Sequence, residues 1–213
     1  MQRVLILVLI LFCVVISACS APPFSKYPLS QPGKQPNDER LSEVWVYQEN
    51  GRPIFVHISK EQEGWLEGVI VGPKDEGGLG LSTFQMLTTQ IGQDHFMSIR
   101  NIRDFKKGAT GVPGKLEPGE GFYWIFLYKI AEDGNLYLRM MDDQYVEESI
   151  KSGQVKGSID KEGSIITLTD NSENLIRFVK DSDKDQLFPE SQQIPDKNSF
   201  FKKLTVSSHP KAE

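Results

Sequence analysis

The segment Phe122-Tyr123-Trp124-Ile125-Phe126-Leu127-Tyr128 constrains this chain more than any other. Aromatic and branched residues favour an extended strand, and alternate side chains of a strand point to opposite faces. Phe122, Trp124, Phe126 and Tyr128 therefore share one face, and Tyr123, Ile125 and Leu127 share the other. A strand with one wet face alternates apolar with polar residues. Here both faces demand cover: one meets the main core, the other a helix, a loop or a partner.

The rest of the chain supplies the sheet this strand belongs to. From Leu41 onward, short strand-like runs recur at Glu43–Gln48, Pro53–Ser59, Trp65–Val71, Leu81–Gln90, His95–Ile102, Gly121–Ala131 and Leu136–Met141. Tight turns join them, among them Glu49-Asn50-Gly51 and Glu132-Asp133-Gly134-Asn135, where Asn-Gly is a hairpin signal. A late hairpin is expected from Val155–Asp160 and Ile165–Thr169 across Lys161-Glu162-Gly163, and a short last strand at Phe200–Val206. Two helices are predicted. One runs from Asp143 to Ser152, opened by Asp142 and stopped by Gly153,. The other runs from Ser172 to Ser182, with Asp170 and Glu173 at capping-box spacing and Leu175, Ile176 and Val179 on one face,. So many antiparallel strands must close or pair into a sandwich to hide their edges, and the short connections favour closure. The expected fold is mainly β, an antiparallel up-and-down β-barrel of about 8–10 strands with two short helices.

The N-terminus reads differently. Arg3 precedes a wholly apolar run from Val4 to Ile16, too short to span a bilayer and of signal-peptide length. Ile16-Ser17-Ala18-Cys19 follows and resembles the lipobox of bacterial lipoproteins. That resemblance implies cleavage before Cys19, a diacylglyceryl group on its thiol, and attachment to the cell envelope. Ser20 in place of Asp implies the outer membrane in a two-membrane cell, and otherwise the outer leaflet of the plasma membrane. Two or three acyl chains make such attachment effectively permanent. Residues 1–18 are then a signal peptide and 19–40 a lipidated tether, taken as disordered because Pro22, Pro23, Pro28, Pro32 and Pro36 punctuate a stretch poor in large apolar residues,. A spacer of that kind would hold the domain roughly 40–60 Å off the membrane. The barrel occupies 41–206, and 207–213 is a disordered tail.

With Cys13 removed and Cys19 acylated, no thiol remains for a disulfide, a metal or catalysis,. The mature chain carries 23 basic and 29 acidic side chains with no basic stripe, which argues against nucleic acid as a partner.

Leu41-Ser42-Glu43-Val44-Trp45 resembles the first strand of lipocalin-like (calycin) barrels, whose Trp plugs the barrel base. The layout of a helix followed by a short last strand is also similar. Glu43 stands where that family has Gly two residues before the Trp, and the family's Arg across the Trp has no evident counterpart. The resemblance implies a cavity for a small apolar ligand, with Trp45, Phe55, Trp65, Phe84, Phe96 and Trp124 as candidate lining residues. The plainer reading makes these six aromatics core.

No catalytic constellation stands out, and neither an enzyme activity nor a cofactor is expected. Gly108–Leu116 looks like a P-loop but has Ala109 and Leu116 where Gly and Ser or Thr are required,. Asp181, Asp183 and Asp185 begin like a calcium loop that Gln186 and Gln192 do not continue,. His57, His95 and His209 are far apart in the sequence. Two functional readings follow. One is a lipoprotein that binds a small lipophilic ligand in its barrel. The other is a filled barrel that meets an envelope protein partner through its surface.

Overall fold

The computed structural model describes residues 22–49, 51–60, 64–73, 78–104, 121–160, 165–194 and 201–204. Seven consecutive antiparallel neighbours build most of a barrel: β2 (Val44–Glu49), β3 (Arg52–Lys60), β4 (Leu66–Pro73), β5 (Leu79–Ile91), β6 (Asp94–Asp104), β7 (Tyr123–Ile130) and β8 (Asn135–Met140). The last strand, β12 (Phe201–Lys203), closes it. Phe201 pairs with Leu136 of β8, and Lys203 pairs with Trp45 of β2. Eight strands therefore close the barrel, and the up-and-down order read from the sequence is the order observed.

Hairpin chemistry sets the two ends. Gly51 at one end, and Gly64, Gly92 and Gly134 at the other, all have positive φ. At Gly134 (φ 79°) an L side chain would be strained, which fits the Asp-Gly preference of tight hairpins. The mouth end is where β4 and β6 finish and β5 and β7 begin. The base is where β3 meets β4, β5 meets β6, and β7 meets β8.

β7 divides its free edge. Phe126–Ile130 pair with β8, but Tyr123 and Trp124 pair with β1 (Phe24–Ser25), which pairs in turn with β10 (Ile166–Leu168). β9 (Gly157–Ile159) completes this flap. The late hairpin expected from the sequence is present, but it lies outside the barrel. The two expected helices are present as α1 (Asp143–Lys151) and α2 (Ser172–Asp181), and a third, α3 (Lys184–Leu187), follows. Two-residue β11 (Gln193–Ile194) extends the outer edge of β8.

Both faces of β7 are covered, as its sequence demands. Phe126 and Tyr128 join the bore cluster with Trp45, Phe84, Met86 and Met97. Ile125 and Leu127 join a second core, outside the barrel wall, built by Phe96 and the helix residues Val146, Leu175, Phe178 and Phe188. Phe122 departs from expectation. It precedes the strand and is 61% exposed.

Helix α1 is capped as expected, with the Asp142 carboxylate accepting the Tyr145 N–H at 2.8 Å. The cap of α2 falls one residue later than expected. Asn171 accepts the Asn174 N–H at 3.0 Å, while Asp170 accepts the Lys156 N–H at 2.7 Å and so ties the helix start to the flap.

The expected disordered tether is the main correction. Residues 1–21, Cys19 among them, lie outside the described residues, but Pro22 to Arg40 form a strap packed on the barrel. Leu29 is fully buried in the outer core, and its N–H donates to Ser98 Oγ at 3.0 Å. Asn37 Oδ1 accepts the Thr88 N–H at 3.0 Å, and its amide donates to the Gly64 carbonyl. The strap uses few apolar side chains. It is held because its polar groups find partners on the barrel wall, which composition cannot reveal.

Candidate functional site

The bore is the natural place to look for a ligand, and its chemistry follows from register. Trp45 points inward, so its β3 partner Val56 does too, and with it Ile58. Across β4, Ile58 faces Gly68, and Gly68 faces Phe84 of β5. A Cβ at Gly68 would lie 2.0 Å from the Phe84 ring, so the missing side chain lets that ring lie over the adjacent strand, against the bore wall. Phe84, Met86, Met97, Tyr128, Leu66 and Trp45 fill the lower bore, all buried.

A short 3-10 turn, Glu39–Leu41, closes the base. The Trp45 indole N–H donates to the Leu41 carbonyl at 3.0 Å. Tyr128 O–H donates to Asp38 Oδ2 at 2.9 Å, and Arg40 donates to both Asp38 oxygens at 2.9 and 2.7 Å. Burial by itself would raise the Asp38 pKa. The hydrogen bonds from the Arg40 side chain, Tyr128 and the Arg40 N–H, with the guanidinium charge, outweigh it and hold the carboxyl below its ordinary value. Tyr128 moves up, first through burial and then through the neighbouring carboxylate. A phenol held neutral in this way keeps its proton to donate to Asp38, and the three groups latch the base.

The latch makes stability depend on pH. A folded pKa below the ordinary 3.8 contributes stability above that pH, and the contribution is lost as pH falls through the folded value. The ion pair itself adds less than about 1 kcal/mol, because Arg40 is solvated. Asp38→Asn is therefore expected to flatten the fall in urea midpoint between neutral pH and about pH 3. An unchanged slope would show that Asp38 does not link the base to pH.

The six aromatic candidates separate by face. Trp45 and Phe84 are in the bore. Trp124 has bore-facing parity and lies against the Phe24 ring at 5.2 Å, where β7 leaves β8 for β1. The other three do not line the bore. Phe55 pairs with Val46 on the outer wall and is exposed. Phe96 belongs to the outer core, 5.5 Å from the Phe188 ring. Trp65 stacks with Tyr123, and the Arg100 guanidinium lies 4.2 Å from the Trp65 ring centre. Arg100 also donates to Gln85 Oε1 at 3.1 and 2.6 Å. Sequence reasoning missed this clamp, because its members sit on β6, β5, β7 and the turn before β4. Strand parity was the available signal, but parity alone does not say which face is inside.

Two adjoining clefts of about 690 and 800 Å³ run around the base, sharing Arg40, His95 and Tyr128. Much of their charge is internally paired: Lys184 with Asp94 at 2.9 Å, Arg139 with Glu190 at 3.0 Å, and Arg40 with Asp38. A third cleft, of about 470 Å³, lies between α1 and α2. His57 is exposed on β3, and two strands separate it from β6, which carries His95 at the base. Among the described residues, no three His, Cys, Asp or Glu side chains converge on a metal position. Asp183 is the cap of α3, accepting the Asp185 N–H at 3.0 Å. Gly108–Leu116 and His209 lie outside the described residues.

No family model, curated protein or solved structure matches this chain.

Proposed function

We propose that this chain is a lipid-anchored envelope protein that acts through the outer surface of a filled barrel, as an interaction or assembly module. One observation carries the reading: Trp45, Leu66, Met86, Met97 and Tyr128 are buried together as one apolar cluster in the lower bore, down to a latched base. Ligand pockets typically enclose several hundred Å³ of apolar space, and that space in the lower bore is taken by protein. The lipobox-like Ile16-Ser17-Ala18-Cys19 motif supports the anchor and the envelope address.

The carrier reading implied by the lipocalin resemblance has one observation in its favour. Ile70 faces the bore above Phe84 and remains 37% exposed, so the mouth holds a shallow apolar recess. Native mass spectrometry of the full mature chain, released from detergent, decides between the two readings. The expected mass is the polypeptide from Cys19 with its covalent diacylglyceryl and acyl groups and nothing else. A non-covalent lipid retained at one per chain would overturn the filled-barrel reading. A mature chain without the covalent lipid would overturn the anchor.

A further inference from the structure

We infer that a very short lipid tether seats the flap on the bilayer, through an apolar patch of Ile165, Phe24 and Phe122 at the point where the chain enters the fold. This seating rests on the lipid-anchor reading of Cys19 and adds a contact surface and an orientation to it.

The entry point follows from two strand pairings. β1 runs antiparallel to β7, with Phe24 opposite Trp124 and Ser25 opposite Tyr123. Because β7 begins at the mouth, the chain before Phe24 lies on the base side of that pair. β1 also runs parallel to β10, with Phe24 opposite Thr167 and Ser25 opposite Leu168. Two residues back along these two strands stand Pro22 and Ile165. The chain therefore enters beside Ile165, and it packs at once: Pro22 is half-buried, and Pro23 and Ser25 are buried. The residues that would have formed a long spacer are consumed by the strap. From Cys19 to Pro22 is three residues, a reach of at most about 11 Å. The polar layer of one leaflet is roughly 5–8 Å deep. An acylated Cys19 at the inner edge of that layer leaves Pro22 within a few ångströms of the membrane surface.

The side chains around this entry suit such a neighbour. Paired residues of adjacent strands share a face, and alternate residues change face. Ile166 and Leu168 turn into the outer core, so Ile165 lies on the other face of the flap, with Thr167 and Phe24. Ile165 is 48% and Phe122 61% exposed. The half-buried Phe24 ring lies between Trp124, at 5.2 Å, and Phe122, at 6.0 Å. Exposed apolar groups gain by leaving water. Other exposed apolar side chains, Leu79 and Phe55 among them, share that gain, but the tether makes the contact intramolecular for the patch that surrounds it. Across the closed ring of eight strands, β3 is four places from β7. Its outward side chains, such as exposed His57, then face away from the bilayer.

The test uses the acylated full chain, purified from membranes and reconstituted in vesicles of phosphatidylethanolamine and phosphatidylglycerol. One cysteine is introduced by Ile165→Cys or Phe122→Cys in the patch, or by His57→Cys on the far wall, and labelled with a fluorophore. A lipid-borne nitroxide is expected to quench the Ile165→Cys and Phe122→Cys labels several-fold more than the His57→Cys label, with the reverse order for an aqueous quencher. Equal quenching at the three positions, on protein whose mass includes the lipid, would overturn the seating and leave the anchor standing. Protein whose mass lacks the lipid would overturn the anchor, and the seating with it. In a further arm, about ten Gly and Ser residues, a flexible coil, are inserted after Ala21. The insertion is expected to lower lipid quenching at Ile165→Cys several-fold at unchanged lipid mass, and unchanged quenching would overturn the short tether as what seats the flap.

Discussion

Leu29→Ala is expected to destabilise the protein by about 2–5 kcal/mol, the range for a buried Leu truncated where the surroundings cannot collapse. Leu29 belongs to a segment whose composition reads as a solvated tether, and truncating a residue in a free tether would cost nothing measurable. In the structure it is fully buried beside Phe96, Ile125 and helix residues of the outer core. Its N–H is bonded to Ser98 Oγ, and Ser98 is itself buried on β6. Ser98→Ala should therefore cost about 1–3 kcal/mol by leaving that N–H without its partner. The two changes share a contact and should couple in a double-mutant cycle. Urea denaturation of the parent, both single variants and the double variant measures this. A Leu29→Ala midpoint equal to that of the parent would restore the tether.

Trp45→Ala is expected to cost about 3–5 kcal/mol through cavity formation. About 1 kcal/mol more follows from the lost hydrogen bond to the Leu41 carbonyl,. Against a typical total of about 5–15 kcal/mol, that is a large share, and part of the population would unfold at ambient temperature. The reason is position. Trp45 lies where β2 meets the closing strand β12, directly opposite Lys203, so its loss loosens the core, the base plug and the closure together. Trp45→Phe keeps most of the ring and removes only the indole N–H and some volume, so it should cost much less. Thermal melting followed by near-ultraviolet circular dichroism compares the two, and equal effects of Phe and Ala at this position would show that the plug depends on the indole N–H and not on volume.

The features that were legible in the sequence are those decided by neighbours along the chain. Strands β2 to β8 were readable as runs of strand-forming residues broken by residues suited to turns, as at Gly51 and Gly134. Helix α1 was readable because Asp142 caps the backbone three residues on. The demand for cover on both faces of β7 was readable too, because seven consecutive large apolar side chains leave no wet face.

Among the aromatic candidates, the even face of β7 was distinguishable from the odd, but which face lined the bore was not. Phe55, Trp65 and Phe96 consequently fell outside the bore, while Trp45 and Phe84 fell inside it. The latch at Asp38, Arg40 and Tyr128 joins groups 90 residues apart, and no local pattern announces such a contact.

By itself, then, the sequence determined the segments of β2 to β8, of α1 and α2, the turns between them, the β class and the lipobox-like motif at Cys19, because these depend on local backbone preference and side-chain periodicity. Only the tertiary structure decided that a proline-rich stretch is a strap and not a spacer, that a three-residue strand closes the barrel, and that the Phe84 ring lies over Gly68. Each of these depends on which distant surface a segment meets. The stability of a polar strap comes from hydrogen-bond partners supplied by the barrel wall, and those partners exist only once the barrel has closed.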